Sequence, residues 1–217
     1  MTESEQTLRT ELVRFARQMV ASGLVRGTSG NISARVPGAD RCLITPSGVD
    51  YDTLEPDGLV VVGLDGGRPS ESPKPSVDTP VHLALYRARA DVAACIHTHS
   101  IHAAAFSTVG REIPPLITES GGYLGGAVRV LDYVPPARPD TGEQVAAGMG
   151  LDRAVLLPNH GVFAVGESLK KCFGAAMAVE ESAHVAFIAF QLGTPNPVPP
   201  GEVERMHEFI HHRYGQR

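Results

Sequence analysis

Apolar residues at Leu8, Leu12, Phe15, Ala16, Met19 and Val20 recur at the spacing of one helix face, and Gly23 follows as a C-cap, so the chain is expected to open with a helix. Beyond it the pattern changes. "RGTSGNISARV" and "RCLITPSGVDYDTL" alternate glycine-rich turns with short apolar runs, which predicts strands joined by tight loops, and "GLVVVGLDGGRPS" adds a strand and a turn. From Asp78 to Ala90, "DTPVHLALYRARA" predicts a helix with Asp78 or Thr79 as N-cap and Pro80 in the first turn, where its missing N–H matters little. "VAACIHTH" reads as a buried strand and Ser100 to Thr108 as a helix. The glycine- and proline-rich span from Ile113 to Pro139 is read as holding at least one strand, "AVRVLDYV". "AVLLPNHGVFAVG" is two strands about a turn, and Leu169 to Leu192 is a long, mostly apolar helix. A last amphipathic helix follows the proline-rich "GTPNPVPPG", with Val203, Met206, Phe209 and Ile210 on one face. Strand clusters mixed with helices, without regular alternation, predict an α/β architecture: a central, mainly antiparallel or mixed sheet with helices on its faces, in one domain spanning 1–217.

Composition narrows the function classes. At 217 residues and 42% hydrophobic content the chain can bury a substantial core. A formal charge of −5 with no basic run argues against a nucleic-acid partner. Cys42, Cys95 and Cys172 are an odd number without C-x-x-C spacing, so a reducing compartment is expected rather than a disulfide framework. The polar start "MTESEQTLRTELVRF" does not read as a signal peptide, and no apolar run reaches the roughly 18 residues of a membrane span. The expected location is therefore cytoplasmic, without a membrane partner.

Two kinds of chemistry stand out. On a strand, residues two apart share a face about 6.6 Å apart along the chain, so His97 and His99 can converge on one ion. His160, in the Asn-His-Gly turn of "LLPNHGVF", is a third candidate; three imidazoles would leave a zinc coordination position open for substrate. The alternative for the pair is two hydrogen-bonded, partly buried histidines. His82, one turn after Asp78 on the same helix face, is placed to support the site. The second kind is anion binding. "GTSGN", Gly27 to Asn31, offers free backbone N–H groups and hydroxyl and amide donors within one turn, and "TPSG" and "KPSVD" are similar. The last opens a helix, where backbone donors and the macrodipole favour a phosphate or carboxylate. Ordinary turn chemistry accounts for the same residues without a ligand.

Taken together and in order, "GTSGNIS", "ITPSGVDYD", "KPSVDTPVHLALYRARADVAACIHTHSIH", "LLPNHGVFAVG" and the terminal "RYGQR" resemble the class II aldolase and adducin head family, most closely its L-fuculose-1-phosphate aldolase-like branch. The resemblance implies a three-layer α/β sandwich around a mainly antiparallel sheet and a homotetramer with active sites between subunits. It implies one zinc, or another divalent transition ion, per subunit on His97, His99 and His160. Substrate phosphate would lie against Thr28, Gly30, Asn31, Ser47, Gly48 and Ser76. Asp78 matches the acid/base carboxylate, although the family motif ends in glutamate and has serine where this chain has Val77. An aspartate before Thr-Pro is also a good helix N-cap. Tyr214 and, with a shifted loop, Tyr123 match tyrosines that act on the aldehyde side. The implied reaction is cleavage of a 1-phosphorylated ketose, L-fuculose 1-phosphate or a 5-deoxypentulose or ribulose 1-phosphate, to dihydroxyacetone phosphate and an aldehyde through a zinc-stabilised enediolate. With only Lys74, Lys170 and Lys171, two of them adjacent, a Schiff-base route is disfavoured. Epimerase, dehydratase and decarboxylase chemistries on the same scaffold, and a non-enzymatic adducin-like interaction module, are the alternatives.

Overall fold

The structure, a computed structural model, describes residues 3–136, 138 and 140–214. Six strands form one sheet in the order β3-β2-β1-β4-β6-β5, every neighbouring pair antiparallel. In chain order they are β1 (Asn31–Arg35), β2 (Arg41–Ile44), β3 (Val60–Gly63), β4 (Ala94–Thr98), β5 (Ala154–Leu157) and β6 (Gly161–Gly166). The helices are α1 (Glu3–Ala21), α2 (Thr79–Ala88), α3 (Ile101–Thr108), α4 (Thr118–Leu124), α5 (Thr141–Met149), α6 (Leu169–Leu192) and α7 (Pro200–His212).

The period-2 alternation of the strands creates the layers. Ile32 and Ala34 of β1, Ala94 and Ile96 of β4, and Val162 and Ala164 of β6 point to one face, where α1, α3 and α6 bury their apolar sides. Cys95, Phe163 and Val165 point to the other, against α2 and α5. The result is a three-layer α/β sandwich: the sheet with helices on its faces that the sequence pattern predicts, in the layering that the family resemblance implies. By length and composition alone α6 passes as a membrane span, yet it lies on the sheet with Leu169, Cys172, Ala176, Val179, Ala183 and Ala186 buried. Its start is fixed by Ser168, whose hydroxyl accepts from the Lys171 N–H at 3.2 Å.

Two helices escaped the sequence reading, and glycine is the reason in both. Gly121 and Gly122 in α4 read as a loop, but a Cβ on Gly122 would stand 2.8 Å from Ile210 Cδ1, so the glycine allows α7 to close on α4. In α5, a Cβ on Gly142 would strike the Pro80 carbonyl of α2. "AVRVLDYV" is not a strand. It makes isolated bridges only, Val128 with Ile113 and Val130 with Leu156, and Pro135 and Pro136 then supply no N–H to extend a ladder along β5.

Candidate active site

The three candidate ligands gather where β4 ends beside the β5–β6 turn, with only His97 on a strand. His97 lies on β4 between Asn31 of β1 and Phe163 of β6, and its ring stacks on Phe163 at 4.4 Å between centroids. His99 follows the end of β4, and His160 sits in the β5–β6 turn, next to Asn159 in the left-handed conformation at φ 57. Gly161 makes the approach possible: a Cβ there would meet the Thr98 carbonyl oxygen and come within 2.9 Å of the His99 ring. One ligand atom from each of His97, His99 and His160 lies within 4.8 Å of the others, and the Nε2 atoms of His97 and His99 are 2.9 Å apart. A carbonyl only accepts, so the 2.9 Å contact of His97 Nδ1 with Val162 O puts the ring proton on Nδ1. The Nε2 lone pair is thereby turned toward the other two imidazoles. Three imidazoles with a carboxylate beside them suit zinc or another divalent transition ion, and the residues fit such a group.

Asp78 stands beside this cluster at the start of α2. Among the described residues its side chain makes no cap hydrogen bond; Oδ2 instead accepts from Asn31 Nδ2 at 2.7 Å and lies 3.8 Å from His97 Nε2. Burial works to raise the carboxyl, but the His97 imidazole, the Asn31 N–H and the imidazoles of His82 and His160 outweigh it and hold the group below its ordinary value. Burial pushes His97 strongly down, with Asp78 offsetting part of the effect, so this imidazole is neutral and able to bind metal. His99 is lowered as well, by burial and by His160.

A cavity of about 190 Å³ opens onto these groups. Its wall gathers all six residues expected at the phosphate, Thr28, Gly30, Asn31, Ser47, Gly48 and Ser76, together with Val77, Asp78, His99 and His160. The three turns are tied to one another: Ser47 N–H donates to Lys74 O at 2.9 Å, Ser76 N–H to Thr45 O at 3.1 Å, and the buried Tyr51 hydroxyl to Gly30 O at 2.7 Å. Gly30 is at φ 75, and a Cβ on it would come 2.7 Å from the His97 carbonyl oxygen. Tyr51 and Gly161 were not singled out from the sequence. The Asn-His-Gly turn signals Gly161, whereas nothing local signals Tyr51.

The two tyrosines lie elsewhere. Among the described residues the cavity lining includes neither. Tyr123 is half-buried on α4, its ring so close to α6 that a Cβ on Gly174 would stand 3.2 Å from Cε1. Tyr214 is 65% exposed, 5.8 Å from the Phe209 ring, and residues 215–217 of the terminal motif lie outside the described residues.

A central antiparallel sheet between helical layers, with three histidines at one end facing hydroxyl- and glycine-bearing turns, defines the class. The chain belongs to the family of the class II aldolase and adducin N-terminal domain, whose sequence profile matches residues 10–187. Within that family its neighbours put it in the L-fuculose-1-phosphate aldolase-like branch. It is 33% identical over 201 residues to a 5-deoxy-D-ribulose 1-phosphate aldolase of Bacillus thuringiensis serovar kurstaki, covering 93% of this chain and 94% of that one. It is 33% identical over 208 residues to a 5-methylthioribulose-1-phosphate/5-deoxyribulose-1-phosphate aldolase of Rhodospirillum rubrum, covering 96% and 93%. A solved L-fuculose 1-phosphate aldolase superposes with a TM-score of 0.90 at 29% identity, over 97% of this chain and 98% of its own. These relatives support class II aldolase activity, a carbon–carbon lyase reaction on a phosphorylated sugar.

Proposed function

We propose that this protein is a zinc-dependent aldolase that cleaves the C3–C4 bond of a 5-deoxypentulose 1-phosphate or of L-fuculose 1-phosphate to dihydroxyacetone phosphate and an aldehyde. The observation that carries the reading is one cavity lined by His99, His160 and Asp78 on one side and by the donors of the three turns on the other, with the buried His97 completing the imidazole cluster behind it. His97, His99 and His160 would hold the zinc ion, which would supply Lewis-acid polarisation of substrate oxygens beside the bond that breaks.

The chain's own residues do the rest. Thr28, Gly30 and Asn31 of the first turn, the Ser47 and Ser76 hydroxyls and Gly48 hold the phosphate. No lysine or arginine is among the described residues that line the cavity, which supports a substrate with one phosphate over one with two. That favours an uncharged aldehyde end, and the 5-deoxyribulose 1-phosphate aldolases among the relatives of this chain support a deoxygenated one. When the C3–C4 bond breaks, its electron pair passes to C3; the Asp78 carboxylate, ionised at rest, takes up the proton released from the C4 hydroxyl and delivers it to C3, completing dihydroxyacetone phosphate. The proton on the oxygen at C4 leaves as the aldehyde carbonyl forms. We assign the passage of that proton toward Asp78 to the Tyr214 hydroxyl of a neighbouring copy in a homotetramer, which accepts it while giving up its own, since Tyr214 is exposed on its own subunit. Tyr123, its ring packed against α6, is given no part in this scheme.

The test is product release. Chelator-treated and zinc-reloaded protein is given 5-deoxy-D-ribulose 1-phosphate, L-fuculose 1-phosphate and D-ribulose 1-phosphate, and dihydroxyacetone phosphate is followed by coupled reduction. Release that depends on reloading is expected, fastest with a deoxygenated substrate. Silence with all three substrates would end the aldolase reading, and release that survives chelation would end its metal part.

A further inference from the structure

Behind Asp78 a line of polar side chains runs into the apolar core between β1 and α2. Asn31 and Ser33, two apart on β1, face α2, and His82 and Tyr86, four apart on α2, face β1; the two periodicities bring the four together. Asn31 Oδ1 meets His82 Nε2 at 2.6 Å, His82 Nδ1 meets Ser33 Oγ at 2.6 Å, and Ser33 Oγ meets Tyr86 OH at 2.7 Å. Ser33 and His82 are 0% exposed, Tyr86 1% and Asn31 3%. Polar groups so deep in a core are tolerable only when each is satisfied, and here the ends of the line dictate how.

The ionised Asp78 carboxylate only accepts, so the Asn31 amide turns its nitrogen toward it and its oxygen toward His82. His82 Nε2 therefore carries the ring proton and Nδ1 a lone pair. The Ser33 hydroxyl donates to Nδ1, which leaves its oxygen to accept from Tyr86, a phenol that burial keeps protonated. One proton lies between each pair, and all donors point toward Asp78. Reversing the line would set the amide oxygen against the carboxylate.

We propose that Ser33, His82 and Tyr86 form a directional hydrogen-bond chain that holds the Asn31 amide with its nitrogen on Asp78, making all three positioning residues for that carboxylate. The inference rests on Asp78 acting in the cleavage proposed above. It explains how an aspartate, one methylene shorter than a glutamate, is held in register with the histidines: its oxygen is gripped from behind by an amide that is itself locked.

Two measurements test it. In metal-free, ¹⁵N-histidine-labelled protein at neutral pH, His82 is expected as the neutral Nε2–H tautomer; the Nδ1–H tautomer would overturn the chain. In kinetics, His82→Gln sets an amide N–H at the place of Nε2–H and is expected to keep kcat within about threefold of the parent. His82→Leu and Ser33→Ala, which break the line, should lower kcat about tenfold with KM changed less than twofold. Parent-like kcat in Ser33→Ala would overturn the proposal, as would equal losses in His82→Gln and a cooperatively folded His82→Leu. Should His82→Leu not fold, Ser33→Ala and the tautomer decide. A protein inactive on every sugar phosphate would remove the aldolase reading, and the tautomer alone would then decide whether the chain of hydrogen bonds exists. The wrong tautomer in an active enzyme would remove the chain alone.

Discussion

Gly161→Ala is a sharp test of how the histidine cluster is assembled. Gly161 is not among the glycines at positive φ, so alanine is conformationally allowed and the effect is purely steric. The added Cβ would stand against the Thr98 carbonyl oxygen, 2.9 Å from His99 Cδ2 and 3.3 Å from His97 Cε1. Thr98 is held by its pairing with Val162, so the backbone oxygen has little room to give. Restoring an ordinary carbon–carbon contact of about 3.5 Å moves the His99 ring by roughly 0.6 Å. Metal–ligand distances tolerate only about 0.2 Å, so zinc affinity should fall about 10- to 100-fold. Overpacking should destabilise the metal-free protein by about 1–3 kcal/mol, which for a chain of this size lowers Tm by about 2–12 °C. Zinc affinity is read by competition with a chromophoric chelator, and stability by thermal melting. Gly126→Ala is the control, since a Cβ there meets nothing within 4 Å. Zinc affinity within twofold of the parent together with an unchanged Tm would refute the close-approach reasoning.

Val77 is 67% exposed on the cavity wall, so Val77→Ser adds a hydroxyl where phosphate is expected; KM for the sugar phosphate should fall about 3- to 12-fold at constant kcat, and an unchanged KM would remove the phosphate from that wall. Asp78→Asn should lower kcat by about 100-fold or more while Asp78→Glu retains activity, whereas equal rates in all three proteins would reduce Asp78 to a helix cap. Burial pushes His82 down to about 4 although Asp78 pulls it up, while the unfolded chain titrates near 6.5. Between those values the unfolded state binds the extra proton, so stability rises with pH there and is lost as pH falls, by roughly 3 kcal/mol over the window. Urea titrations of metal-free His82→Gln should show a correspondingly flatter loss between pH 6.5 and 4, and a slope equal to that of the parent would contradict the neutral, buried imidazole.

How much of this was legible in the sequence follows from the range over which each signal acts. The α1 and α6 helices, the His97 strand and the β5–β6 turn announce themselves within a dozen residues, because periodicity and turn chemistry are local. The α4 and α5 helices did not, because Gly121, Gly122 and Gly142 are selected by what packs on them from α7 and α2 and read locally as breakers. The alternation of "AVRVLDYV" suggested a strand that Pro135 and Pro136 prevent from pairing beyond isolated bridges. The same distinction divides the site. The His97–His99 spacing can be read from five residues, yet whether those imidazoles are ligands or merely hydrogen-bonded depends on His160 arriving from the β5–β6 turn. Asp78 has two local readings, cap and carboxylate, and the sequence around it cannot choose between them. The choice is made by Asn31 on a different element, whose amide takes the carboxylate oxygen and leaves the helix start without a side-chain cap. Asn31 is in turn oriented by His82 on the helix that Asp78 begins, so the residue that looks like the end of a helix is positioned by that helix's own interior face. On the hydrogen-bond chain proposed above, a Pro-Ser-Val-Asp sequence can stand where the resemblance implies a glutamate, because the carboxylate is held by Asn31 and, through it, by His82, Ser33 and Tyr86, which taken singly resemble ordinary strand and helix residues.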